Sequence, residues 1–345
     1  MHSHHPPKLV KKLNKIFIFI AIALGLVLGA TSASASCGRV TIAEMNWASA
    51  EFMANLDKII LEEGYGCKVE LIAGATMTSF ASMDEKGEPD IAPELWANAV
   101  REPLYKAQGE GRLFVVNKTP IVGAGEGWWI PKYISEKHPE LKTLQDIMKR
   151  PDLFPHPEDP SKGALHTCPS GWGCQLSTNN LFRAFKMEEA GWRLVDTGSA
   201  AGLDGSIAKA YERKEAWLGY YWAPTVVLGK YPMTPVDFGV PYNDQNWNSC
   251  IVKSEDECQN PQPSSWTKSE VNTVVTANFK NSSSDAMQYI QARKIPLDQL
   301  GDILKWMDAN QATGEDAAYE FLSRYGSLWS SWISSDAAAK VKRKL

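Results

Sequence analysis

The sequence predicts an α/β protein built as two units, each a mainly parallel sheet flanked by helices, and three observations lead there. A chain of 345 residues is longer than one core usually organises. Strand-like and helix-like runs alternate through its first third, the order expected of a parallel sheet with helices on both faces. A glycine-punctuated strand then interrupts the alternation, and a second strand and helix run begins beyond it.

Val40–Ala43 reads as a buried strand, and Met53, Leu56 and Ile60 fall at helical spacing until Gly64 ends that helix. Lys68–Ile72 is the next strand. A short helix around Thr78–Glu85, a strand at Asp90–Ala92 and a helix from about Ala97 to Gln108 continue the pattern. Pro120–Ile130 is expected as a crossing strand, whose glycines permit bending or close backbone approach. A proline-rich loop covers 150–162. The second run comprises a strand near Ala164–Thr167, helices near Gln175–Ala190 and Ser206–Arg213, and a strand at Trp217–Tyr221. From about Val236 the chain returns through polar loops to a strand at Asn272–Thr276. It ends in helices at Ala286–Arg293, Leu297–Asn310 and Ala317–Ser334, with Lys340–Lys344 as a frayed, solvated tail.

Residues 1–35 carry Lys8, Lys11, Lys12 and Lys15 and no acid, then an apolar run from Ile16 to Ala30, then Ala33-Ser34-Ala35. This is the order of a secretory signal peptide with its cleavage site, so the mature chain is expected to begin near Ser36 and to be exported to a bacterial periplasm. The run is short for a comfortable membrane span. Cys37 lacks the Leu that a lipid-attachment motif wants three residues earlier, where Ser34 stands. All six cysteines follow the leader, and an even number in an exported chain reads as disulfides. Fifteen connectivities are possible, and spacing favours three local pairs. Cys168 and Cys174 bracket a tight loop, Cys250 and Cys258 bracket a polar one, and Cys37 and Cys67 each precede a strand, where neighbouring parallel strands start close together.

The net charge of −4 understates the acidity of everything past the basic leader, which argues against nucleic acid as a partner. There is no Cys-x-x-Cys pair, and the histidines left after the leader, His138, His156 and His166, are scattered, so no metal is suggested. Gly-x-Ser-x-Gly, the P-loop and the dinucleotide fingerprint are absent, and a Cys168–His166 dyad would need a free thiolate. Neither catalysis nor a cofactor is expected. Thirteen Trp are the outstanding feature, because each needs a home for a large ring and a partner for its N–H.

Cys168-Pro-Ser-Gly-Trp-Gly-Cys174 is the most specific motif. A short bridged loop fixes the Trp172 ring, and the helix that follows aims first-turn N–H groups at the same place, a pairing that suits a zwitterion. The alternative is a loop that merely packs its Trp. Tyr220-Tyr221-Trp222-Ala-Pro224 ends a strand at the sheet edge where such folds bind ligands. Trp96 and Trp47 occupy equivalent strand ends in the first unit, Trp47 with the weaker claim. Trp192, Trp217, Trp306, Trp329 and Trp332 are assigned to packing, and of Trp128 and Trp129 one should face the cleft.

Together Cys-x-x-Gly-Trp-Gly-Cys174, Tyr-Tyr-Trp-x-Pro224, Glu94-Leu-Trp96 and Gly-Ala-x-x-Gly127 resemble the glycine betaine and quaternary-ammonium substrate-binding proteins of bacterial ABC importers, over nearly the whole mature chain. The resemblance implies a two-lobed periplasmic binding protein of type II. Residues 36–122 and 241–345 would form lobe 1, and 123–240 lobe 2. Trp96, Trp172 and Trp222 would cage a trimethylammonium group, with the Gly173 and Cys174 amides meeting a carboxylate. The partners it implies are a small methylated-ammonium ligand and an inner-membrane ABC permease served by a monomeric receptor. A family His four residues after the first cage Trp is here Val100, with Arg101 beside it.

A methylated ammonium has no N–H to donate, so aromatic faces are its natural partners, at roughly 0.5–2 kcal/mol per well-placed face. Glu126 sits on the crossing strand and shares a face with Trp128. An acid at the cage would favour trimethylamine N-oxide, or a cation such as choline, over glycine betaine unless Arg101 compensates; the alternative is an acid in solvent or paired with a lysine. Rival functions are a secreted hydrolase of choline-like esters and an extracellular sensor lobe.

Overall fold

The strands and helices of a computed structural model follow the alternation closely in the first unit and depart from it where strands enter from the other unit. The structure describes residues 1–2, 37–121, 123–282 and 284–345, so the leader and its cleavage site fall outside the described residues apart from Met1 and His2.

In chain order the main elements are β1 Arg39–Met45, α1 Ala48–Ile59 with a π turn over Ile60–Gly64, β2 Lys68–Gly74, α2 Thr76–Lys86, β3 Ile91–Trp96, α3 Arg101–Gly109 and β4 Leu113–Asn117. Next come β5 Gly125–Pro131, β6 Gly163–Thr167, α4 Gly173–Ala184, β7 Trp192–Asp196, α5 Ala200–Arg213, β8 Gly219–Ala223 and β9 Met233–Pro235. Last come β10 Val271–Thr276, α6 Ser284–Ala292, α7 Leu297–Asn310, α8 Gly314–Arg324 and α9 Ser335–Lys342.

Two five-stranded sheets result, ordered β2-β1-β3-β10-β4 and β7-β6-β8-β5-β9. In each, four strands run the same way, as the expectation of mainly parallel sheets requires, and one runs against them. β1 is parallel to β2 and β3, and β6 to β7 and β8. β10 runs antiparallel between β3 and β4, and β5 antiparallel between β8 and β9. The physical reason is common to both. β5 and β10 carry the chain across from the opposite lobe, so they enter at the edge where the parallel strands end and must run against them.

Sequence periodicity missed β4, β7 and β9. Trp192-Arg-Leu-Val-Asp196 alternates buried and exposed positions only partly, and the two other strands are short. The crossing strand starts at Gly125, later than expected, and the aromatic strand spans 219–223 rather than 217–221. The last expected helix is broken near Gly326. The tail is not frayed: α9 is capped by Ser334, buries Ala337, Ala338 and Val341, and packs on the Ile60–Gly64 turn.

One core lies in lobe 1 and joins α1, α6, α7 and α8 to the outer face of its sheet, with Phe52, Ile59, Tyr289, Ile303 and Phe321 fully or nearly fully buried. A second spans lobe 2 and the cleft side of lobe 1. Cys37–Cys67, Cys168–Cys174 and Cys250–Cys258 are bonded, with Cα atoms 4.8, 6.1 and 4.6 Å apart. Arg39 pairs in register with Lys68, which places Cys37 beside Cys67 as their positions before parallel strands require.

Candidate functional site: a tryptophan box between the lobes

Lobe 1 contributes two rings from adjacent strand ends. β1 runs into Trp47, the residue before α1, and β3 ends on Trp96. Both indoles donate to Oε1 of Glu94, Trp47 at 2.8 Å and Trp96 at 2.9 Å, and Ser49 adds its hydroxyl at 2.9 Å. Past Trp96 a single 3₁₀ turn, Ala97–Ala99, brings Asn98 and Ala99 to the cleft.

Lobe 2 contributes the other two. The bridged loop delivers Trp172 as the residue before α4, its indole donating across the cleft to Asn46 Oδ1 at 2.8 Å. Trp222 lies on β8 directly opposite Glu126 of β5, with Tyr220 two residues away on the same face. Trp172 meets Trp47 edge-on, with centroids 5.3 Å apart and planes at 72°, and Trp222 likewise at 5.0 Å and 82°. An edge-to-face contact occupies only one face of one ring in each pair, so other faces remain for a guest. The rings so placed surround a small cavity between the lobes that opens to solvent. It is lined by Trp47, Trp96, Trp172 and Trp222 with Thr76, Asn98, Ala99, Glu126, Gly173, Cys174, Ser177 and Tyr220.

Among the described residues no lysine, arginine or histidine lines this space, so none of them opposes a cation there. Two helices, α2 and α4, begin at its wall, and their first-turn N–H groups have no carbonyl within their own helix to reach. The acidic group is Glu126. Tyr220 donates to its Oε2 at 2.9 Å and Asn98 to its Oε1, and the backbone N–H of Glu126 donates to Ser269 at 2.9 Å. Burial pushes the Glu126 carboxyl above the ordinary carboxylate range, and the bonds from Tyr220 and Asn98 pull the other way without reversing it.

Trp47, Trp96, Trp172, Trp222, Glu126, Gly173 and Cys174 thus all line one cavity. Trp128 does not. It shares the face of Glu126 as strand alternation requires, but two residues along a strand is about 6.6 Å. That depth places it under α4, fully buried against Phe238, with its indole 3.3 Å from Thr178 Oγ1. Arg101 is also elsewhere: it reaches Glu270, Thr267, Tyr242 and Asp244. Val100, standing where the family carries His, is buried. Sequence reasoning did not assign Asn98, Thr76, Ser177 or Tyr220 to the site. Tyr220 was signalled by alternation with Trp222, while Asn98 comes from a 3₁₀ turn that no periodicity marks.

The lobes also touch directly. Met77 N–H donates to Gly171 O at 3.1 Å, and a Cβ on Gly173 would lie 2.4 Å from Ala99 Cβ. Glu126 and Asn98 join lobe 2 to lobe 1 through their own hydrogen bond. Among the described residues no group of His, Cys, Asp and Glu could hold a metal, and no helix is long and apolar enough to cross a membrane.

A family model described as the substrate-binding domain of ABC-type glycine betaine transport systems matches residues 38–324. A trimethylamine N-oxide-binding protein of Pelagibacter ubique is 22% identical over 325 residues, covering 93% of this chain and 98% of that protein. Among solved structures, a choline-binding protein of an ABC transporter in complex with choline superposes with a TM-score of 0.70 at 16% identity, over 90% of this chain and 98% of that one. The lactococcal glycine betaine-binding protein OpuAC, closed on glycine betaine, gives 0.63 at 16% identity, over 86% and 100%. These structural likenesses place the chain in the two-lobed fold of type II periplasmic binding proteins.

Proposed function

We propose that this chain, which belongs to the family of substrate-binding domains of ABC-type glycine betaine transport systems, captures a compact trimethylammonium osmolyte in its tryptophan box and hands it to an inner-membrane permease. Trimethylamine N-oxide is the ligand the site favours, ahead of glycine betaine. The observation that carries this choice is Glu126, an acid on the wall of a box whose other lining groups are indole faces and uncharged residues.

The trimethylammonium end would fill the space between Trp47, Trp96, Trp172 and Trp222, where ring quadrupoles replace the water it leaves. The opposite end decides between ligands. An N-oxide oxygen is small and basic, and a protonated Glu126 can donate to it while Tyr220 and Asn98 hold the carboxyl in place. A carboxylate would have to rely on uncharged donors such as the Gly173 and Cys174 amides, since Arg101 is committed to Glu270 and its neighbours. The curated relative from Pelagibacter, named for trimethylamine N-oxide, supports the same choice.

Closure follows from the topology. β5 and β10 enter their sheets from the opposite lobe, so the lobes would rotate about those two crossings, with the guest bridging them. The receptor would act as a periplasmic monomer after loss of its leader. The hydrolase alternative needs a nucleophile and base in the box, and no histidine lines it. Calorimetry with trimethylamine N-oxide, glycine betaine, choline, carnitine and proline tests the proposal. Micromolar or tighter binding of the first is expected, on the order of −8 kcal/mol. Failure of every trimethylammonium compound to bind would refute it.

A further inference from the structure

Glu94 is a carboxylic acid on a central strand of the lobe 1 sheet, wholly shielded from solvent. An acid there is expensive, and interior positions of such strands are normally apolar. Ion pairing does not explain it: Arg293, the nearby cation, holds Asp57 at 2.7 Å instead. Glu94 instead collects three donors on one oxygen, and two of them are the indole N–H groups of Trp47 and Trp96. Its other oxygen, Oε2, is buried with no hydrogen-bond partner among the described residues. Trp172 is anchored separately, by Asn46. Half the box therefore hangs on a single atom that lies behind the rings and does not line the cavity.

We propose that Glu94 is the positioning residue of the box: through Oε1 it fixes the planes of Trp47 and Trp96 and makes their faces more electron-rich, and so sets affinity for the methylated cation without touching it. Two physical effects combine. Each indole has one N–H, so a bond to a buried, immobile acceptor fixes how the ring is turned, and a shared acceptor fixes the two rings relative to each other. A donor that leans on a carboxyl oxygen is polarised by it, which adds negative character to the ring face that a cation meets. Burial holds the carboxyl above the ordinary carboxylate range, and the bonds from Trp96, Trp47 and Ser49 offset part of that rise.

The inference rests on the trimethylammonium reading for its affinity arm only. The test compares wild type, Glu94→Gln, which keeps an acceptor oxygen but no charge, and Glu94→Leu, which keeps volume but no acceptor. Each is made in the native background and with Trp47→Phe and Trp96→Phe together, where rings remain without N–H groups. The probe is trimethylamine N-oxide, with tetramethylammonium as the bare cation. In the native background affinity is expected to fall by roughly 3- to 10-fold for Gln and more for Leu. In the double-Phe background the same changes should have little further effect, which is the coupling expected of partners. Indole ¹H–¹⁵N resonances of Trp47 and Trp96 in the ligand-free protein should shift in Glu94→Gln. Unchanged affinity in Glu94→Gln with a lowered melting temperature, or a loss that persists in full in the double-Phe background, would overturn the proposal. Should Leu prevent folding, the Gln comparison and the spectra decide alone. Shifted resonances in a protein that binds no probe would instead refute the ligand reading.

Discussion

Gly173→Ala tests whether the lobes must meet as closely as they do here. Gly173 opens α4 with an ordinary helical backbone, so an Ala there is locally harmless. Its Cβ would nonetheless lie 2.4 Å from Ala99 Cβ of the other lobe, where ordinary contact begins at 3.4 Å. The next atoms, Ala99 Cα and Met77 Sδ, are at 3.8 and 3.9 Å and pose no obstacle. The clash is thus one methyl against one methyl, and the lobes can relieve it by staying about 1 Å apart. Overpacking of this kind costs about 1–3 kcal/mol. Because it falls on the closed state and not on either lobe, it should appear as roughly 5- to 150-fold weaker binding with an almost unchanged melting temperature of the ligand-free protein. Calorimetry and thermal melts measure both. Ala99→Gly removes the opposing methyl, so the double variant should recover most of the lost affinity. Wild-type affinity in Gly173→Ala, or no recovery in the double variant, would refute the reasoning.

Alanine at Trp96, Trp172 or Trp222 should each weaken binding at least tenfold by loss of a cage face. Trp329→Ala, in the lobe 1 core, should instead cost about 3–5 kcal/mol of stability and leave affinity intact in the folded fraction; the reverse pattern would place the site elsewhere. Glu126→Gln, measured by calorimetry, should weaken trimethylamine N-oxide selectively and glycine betaine little, and equal changes for both would remove Glu126 from ligand choice. His166, half-buried and stacked on Trp217, is pushed down to about 4 by partial loss of its water. A depressed folded-state value means that the unfolded chain binds the proton first. The His166 contribution is therefore complete above about pH 6.5 and lost as pH falls toward 4, by up to about 3 kcal/mol. His166→Gln should flatten that part of the stability profile relative to wild type, and an unchanged slope would contradict it.

The parts of the site that the sequence made legible are those fixed by local chemistry. The Cys168–Cys174 loop can hold Trp172 in few ways, and Trp47, Trp96 and Trp222 each end a strand whose apolar run is visible. Strand alternation also set Glu126 correctly beside Trp128, but it carries no information on depth, and depth separates a wall of the box from a residue beneath α4. What periodicity could not show is what depends on the partner lobe. Asn98 matters because Glu126 comes to it, and Gly173 because Ala99 does. The one reversed strand in each mainly parallel sheet escaped for the same reason: strand direction in β5 and β10 is decided by where the chain crosses. α9 was misread because Lys340, Lys342 and Arg343 mask Ala337, Ala338 and Val341, a buried stripe at helical spacing.

The account turns on one placement, a trimethylammonium nitrogen among four indole faces. A crystal structure of the protein with trimethylamine N-oxide measures it directly. The nitrogen is predicted to lie within about 6 Å of the ring centroids of Trp47, Trp96, Trp172 and Trp222, with the N-oxide oxygen toward Glu126. Ligand density anywhere outside this box, or in it with the oxygen turned away from Glu126 toward the Gly173 and Cys174 amides, would contradict the account.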